Sequence, residues 1–89
     1  MDRLFHAFAS SVRRRILDIV QAQPGCSLVQ VCRHFDLSRI AVMKHLQVLE
    51  DAGLVISAKQ GRTRQLYFNP APIRLIHERW SEEYSGAWA

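Results

Sequence analysis

The chain has 89 residues, 48% of them hydrophobic, with 12 Lys and Arg against 8 Asp and Glu, a formal net charge of +4 and a pI near 9.7. That length makes one domain, 1–89, with a small core that a second copy of the chain would extend, and the basic balance favours a polyanionic partner. No apolar run reaches the roughly 20 residues that span a bilayer, no secretory signal pattern opens the chain, and Cys26 and Cys32 are too few for a disulfide framework, so the expectation is a cytoplasmic protein with reduced thiols and no membrane partner.

In chain order, Leu4, Phe5, Phe8 and Ala9 recur at helical spacing and predict a short first helix over 2–9 with aromatic residues on one side. Ser10 or Ser11 can cap a second helix that runs to about Ala22, with Val12, Ile16, Ile19 and Val20 as its buried stripe. Arg13, Arg14 and Arg15 crowd three cations at the N-terminus of that helix, where the macrodipole gains nothing from them. A pair between Arg14 and Asp18 would contribute only about 0.3 kcal/mol, so contact with a DNA phosphate is expected for at least one of these arginines, against a solvated surface run for all three.

Pro24 and Gly25 turn the chain. Ser27 opens S-L-V-Q, a capping box whose Gln30 can reach back to the cap amide, and Leu28, Val31, Cys32 and Phe35 form the stripe of a short third helix. Asp36 tolerates a left-handed exit from it.

Ser38 caps a fourth helix and Gly53 supplies its left-handed stop, a span of about four turns. Steps of about 100° put Val42, His45, Leu46, Leu49 and Ala52 on one face and Ile40, Met43, Lys44 and Gln47 on the other. The first face is a core stripe. The second, extended by Arg39, mixes apolar, amide and cationic groups in the N-terminal half of the helix, a combination suited to base edges and thymine methyls in the major groove.

Beyond Gly53 the period changes to two. Leu54, Ile56 and Ala58 alternate with Val55, Ser57 and Lys59, Gln60-Gly61 makes a turn, and Leu66 and Phe68 alternate with Gln65 and Tyr67, which predicts a β-hairpin. Lys59, Arg62 and Arg64 surround its tip, where a turn needs only polar residues. Asn69-Pro70-Ala71-Pro72 then leads into a last helix, with Pro in the first turn where its missing amide costs nothing. Ile73, Ile76, His77, Trp80 and Tyr84 share a face of it, with Trp88 a turn further on. Together with Leu4, Phe5 and Phe8 they predict that the chain ends pack against each other and against a second copy.

Two short helices joined by a tight turn, the second with an outward mixed face and a hairpin after it, make a winged helix-turn-helix: mostly α with a small β-hairpin, in the order α-α-α-α-β-β-α. Catalysis is not expected. His6, His34, His45 and His77 lie on separate elements, and neither a nucleophile motif nor a phosphate-cradling loop occurs.

The segments LFHAFASSVRRRILDIV, LVQVCRHFDLSRIAVMKHLQVLEDAGLV and QGRTRQLYFNP resemble the ArsR/SmtB family of bacterial winged-helix transcriptional repressors over nearly the whole chain. The resemblance implies a homodimer, joined through its first and last helices, on a pseudopalindromic double-stranded DNA operator. Ser38, Arg39, Ile40, Met43, Lys44 and Gln47 fall on the family's reading helix and Lys59, Arg62 and Arg64 on its wing, with Met43 standing where the family usually has Ser. Metal and other cofactors are not implied for this chain. The family's thiolate site needs Cys-x-Cys in the third helix, whereas Cys26 and Cys32 are six apart, and the last helix offers His77, Glu78, Glu82 and Glu83 without a second His or any Asp. The alternatives are a winged-helix module for protein association and a thiol- or metal-responsive sensor repressor using Cys26 and Cys32.

Overall fold

A computed structural model describes residues 2–88, with side chains through Ser81. It places α1 at Asp2–Phe8, α2 at Ser11–Ala22, α3 at Leu28–Cys32, α4 at Arg39–Asp51, β1 at Val55–Gln60, β2 at Thr63–Phe68 and α5 at Ala71–Trp88. The fold is mostly helical with one antiparallel hairpin, as the periodicities predict.

Capping explains where the helices begin. The Ser10 hydroxyl accepts from the Arg13 amide at 3.3 Å and the Ser38 hydroxyl from the Ala41 amide at 3.1 Å. Ser27 and Gln30 form the reciprocal box: the Gln30 amide donates to Ser27 Oγ at 3.3 Å, and the Ser27 amide donates to Gln30 Oε1 at 2.8 Å. The α3 exit differs from expectation, because no residue other than glycine has a positive φ among the described residues. Asp36 therefore is not left-handed, and the His34 and Phe35 amides close the exit on Val31 and Cys32 carbonyls at 3.1 Å each.

Gly53, at φ +76, ends α4 in a Schellman motif: its amide donates to the Glu50 carbonyl and the Leu54 amide to the Leu49 carbonyl. That motif puts Leu54 in the core before the hairpin starts. The alternation consequently restarts at Val55. Val55 and Ser57, paired with Phe68 and Leu66, face inward, while Ile56, paired with Tyr67, is 52% exposed. The tip is one residue later than expected, with Gly61 and Arg62 between the paired Gln60 and Thr63. A positive φ at Gly61 alone is the II′ arrangement, which matches the strand twist.

The core joins Ile16 and Val20 of α2 to Val31 of α3, to Val42, Leu46 and Leu49 of α4, and to Leu54 and Leu66 at the hairpin. Cys26 belongs to it as well, because Gly25 and Cys26 pair with Leu66 as a one-residue third strand, the Leu66 amide donating to the Cys26 carbonyl at 2.9 Å. This covers the β2 edge that would otherwise stay open. Asn69 ties the hairpin base to α5: its amide donates to the Leu54 carbonyl, its Nδ2 to the Gly53 carbonyl, and its Oδ1 accepts from Ala71.

Two expectations change here. Leu4, expected at a dimer interface, is 6% exposed in the protomer's own core, and Phe8 and Ile76 pack against that core from its edge. Phe5, Ile73, His77 and Trp80 are exposed, and Leu75, absent from the expected face, is 65% exposed. The side chain of Tyr84 and the side chains of Glu82, Glu83 and Trp88 lie outside the described residues. No helix among the described residues is long and apolar enough to cross a membrane.

Candidate nucleic-acid interface

Burying Val42, Leu46 and Leu49 turns the opposite side of α4 outward. Ile40 is 67% exposed and Met43 50%, with Arg39, Lys44 and Gln47 exposed around them. Ser38, at the helix start, spends one lone pair on its cap and keeps its hydroxyl proton for an acceptor outside. The Gln47 amide nitrogen donates to Asp51 Oδ1 at 2.9 Å, which leaves its oxygen and second proton free.

The hairpin bends back toward this face. Arg39, Met43 and Gln47 of α4 share an open cleft of about 410 Å³ with Arg62 and Arg64 of the wing. Thus five of the nine residues expected on the reading helix and wing come together in one place, while Ser38, Ile40, Lys44 and Lys59 lie outside its lining. Lys59 stands directly across the hairpin from Arg64, a like-charge pair that costs a hairpin stability unless an anion lies between. The side chains of Lys59, Arg62 and Arg64 are exposed and make no ion pair or hydrogen bond with the described residues.

Sequence reasoning missed Ser27, Leu28 and Val29, Glu50 and Thr63, all of which line the cleft. Val29 carried a signal, since it is an apolar residue off the α3 stripe, and it is 47% exposed. Glu50 places a carboxylate toward the C-terminal part of the cleft, a position a phosphate avoids.

Arg13 is the clearest correction. Arg13 is 9% exposed and its nitrogens are committed: Nε donates to the Ala7 carbonyl at 3.0 Å, Nη2 to the His6 carbonyl at 2.8 Å, and Nη1 lies 3.2 Å from His45 Nδ1. Arg14 donates to the Phe8 carbonyl, and the Arg15 guanidinium lies 5.6 Å from the centre of the Phe35 ring. The C-terminal carbonyls of α1, the negative end of that helix, lie against the start of α2 and take up the Arg13 guanidinium and one nitrogen of Arg14. Arg13 is thus closed to DNA, whereas Arg14 and Arg15 are exposed at the surface outside the cleft.

Burial pushes the Cys26 thiol pKa up, against a smaller opposing pull from a backbone hydrogen bond. Both cysteines are free, and among the described residues no group of three or more His, Cys, Asp or Glu is placed to hold a metal ion.

A family model described as a helix-turn-helix domain matches residues 8–58, from the end of α1 into β1. The HTH-type transcriptional regulator YuzN of Bacillus subtilis (strain 168) is 40% identical over 87 residues, covering 91% of this chain and 95% of its own. A crystal structure of an ArsR family transcriptional regulator superposes with a TM-score of 0.82 at 30% identity, over 98% of this chain and 88% of the other. This chain belongs to the ArsR-like winged-helix transcriptional regulators. An ArsR-like regulator from Rhodococcus sp. RHA1 is similar as well, with a TM-score of 0.78 at 28% identity over 98% of this chain and 80% of that one. In this regulator α4 is the second helix of the helix-turn-helix and the hairpin the wing that follows it. Its relatives are transcriptional regulators, which are not enzymes.

Proposed function

We propose that this regulator is a sequence-specific double-stranded DNA-binding repressor that acts as a homodimer on a pseudopalindromic operator and occludes a promoter. The observation that carries the reading is the cleft in which Arg39, Met43 and Gln47 meet Arg62 and Arg64, beside wing cations that no carboxylate neutralises among the described residues. In it, Ser38, Arg39, Ile40, Met43, Lys44 and Gln47 enter the major groove, where Gln47 reads a base edge and Ile40 and Met43 meet thymine methyls. Lys59, Arg62 and Arg64 take phosphates.

The second copy is supported by Phe5, Ile73 and Leu75, large apolar side chains that a monomer leaves in water. Two recognition helices roughly 34 Å apart then read half-sites about 10 base pairs apart. The reading includes no metal response, supported by the six-residue spacing of Cys26 and Cys32. Burial of the Cys26 thiol weighs against a cysteine-based switch.

Selection of bound oligonucleotides from a random pool, with the mass in solution measured alongside, tests this function. A two-fold related consensus bound at twice the protomer mass supports it. Equal binding of every duplex overturns it and favours protein association.

A further inference from the structure

The Arg13 guanidinium joins three elements of the fold. A guanidinium has N–H donors and no lone pair, so its Nη1 at 3.2 Å from His45 Nδ1 makes Nδ1 the acceptor and leaves the ring proton on Nε2. The same planar group is anchored by its other nitrogens to the carbonyls of His6 and Ala7 in the last turn of α1. Arg13 therefore holds the middle of α4 to the end of α1 through a group that is itself on α2.

His45 sits two residues from both Met43 and Gln47, which line the cleft. The apolar stripe of Val42, Leu46 and Leu49 decides which side of α4 faces the core, but non-directional burial fixes the rotation about the helix axis less tightly than a directed contact does. A hydrogen bond to a planar fork does have a direction. Reading groups must be held to within about 0.5 Å and 10–20° to stay productive.

We propose that Arg13 and His45 are positioning residues for base reading: their hydrogen bond sets the rotation of the recognition helix against α1, so that Met43 and Gln47 meet base edges in register with the wing. The proposal rests on the DNA-reading assignment of α4 above and assigns neither residue a contact with DNA.

The test compares operator and random-sequence duplex binding for His45→Phe, which keeps a ring but removes the acceptor, and for His45→Asn, whose Oδ1 takes the place of Nδ1. The ratio of the two dissociation constants is the readout. A variant that is merely less stable loses active protein for both duplexes alike and leaves the ratio unchanged. His45→Phe is expected to cut the ratio about tenfold, the scale of one lost base contact, with random-duplex binding kept. His45→Asn is expected to restore it. An unchanged ratio in His45→Phe, or a loss that His45→Asn fails to repair, overturns the proposal. If His45→Phe does not fold, Arg13→Lys replaces the fork with a single ammonium and must lower the ratio in the same way. An unmodified chain that prefers no duplex overturns the DNA-reading assignment and this inference with it, whereas a discriminating chain beside an equally discriminating His45→Phe overturns this inference alone.

Discussion

Arg13 Nη1 lies 3.2 Å from His45 Nδ1, across 32 positions of sequence, and this contact connects the end of the first helix to the recognition helix. Three arginines in a row look like a surface run, but the first is nearly closed to solvent and every one of its nitrogens has a partner. Arginine suits such a place because its fork bridges several acceptors at once with little rearrangement.

Replacing Arg13 by Met keeps the buried stem and removes every donor. The carbonyls of His6 and Ala7 and the imidazole Nδ1 lose their partner together. The expected loss is about 2–3 kcal/mol, read as a drop of the order of 10 °C or more in the thermal midpoint. A midpoint within a degree or two of the unmodified chain would falsify the structural role.

His45 makes stability depend on pH. Its pKa lies below the ordinary 6.5, first through burial and then through the positive charge of Arg13, so the folded chain takes up a proton there less readily than the unfolded chain. An unfolded His takes up its proton as pH falls below about 6.5 while the folded one resists, so the unfolded state binds more protons in that window. Stability from this group is full above that pH and declines below it. Thermal melts across the window should show the decline, and in His45→Asn the part due to this ring should be gone.

The wing and the recognition helix are expected to fail in different ways. Arg62→Ala should weaken all duplexes alike and flatten the salt dependence by about 0.9 on log axes, because one phosphate keeps its counterion. Gln47→Ala or Lys44→Ala should instead relax the choice among operators, with about 1–3 kcal/mol at stake for a good amide-to-base pair. A salt titration of binding on matched and mismatched duplexes separates the two.

Gly53→Ala isolates backbone strain. A Cβ there meets Pro72 Cγ at 3.6 Å, ordinary contact, so the cost comes from φ +76 and not from crowding. About 1–2 kcal/mol of stability should be lost in a denaturant melt. Because Gly53 also positions Leu54 and accepts from Asn69, operator binding should weaken with it.

Leu75→Glu and Phe5→Glu replace side chains that the protomer leaves exposed. Each should therefore leave the fold intact by circular dichroism and shift a sizing run toward the protomer mass. Unchanged elution for both would remove the proposed role of the chain ends in pairing.

Read alone, the residues settle the helix caps and the helix and strand periods, though not the α3 exit at Asp36 or the exact hairpin tip. Ser10, Ser27 and Ser38 cap the helices they precede, Gly53 stops the recognition helix, and 3.6- and 2-residue periods mark the helices and the hairpin, because each signal acts within about one turn of its own position. The outward face of α4 follows from the same period. Tertiary structure decided what stands opposite each group. It turned Arg13 from a phosphate contact into a clamp on α1, took Leu4 into the core, made Cys26 a strand residue beside Leu66 and brought Arg39, Met43 and Gln47 up to Arg62 and Arg64. The physical reason is that a charge or an open strand edge takes whichever partner folding brings within reach, and the partners here lie on other elements.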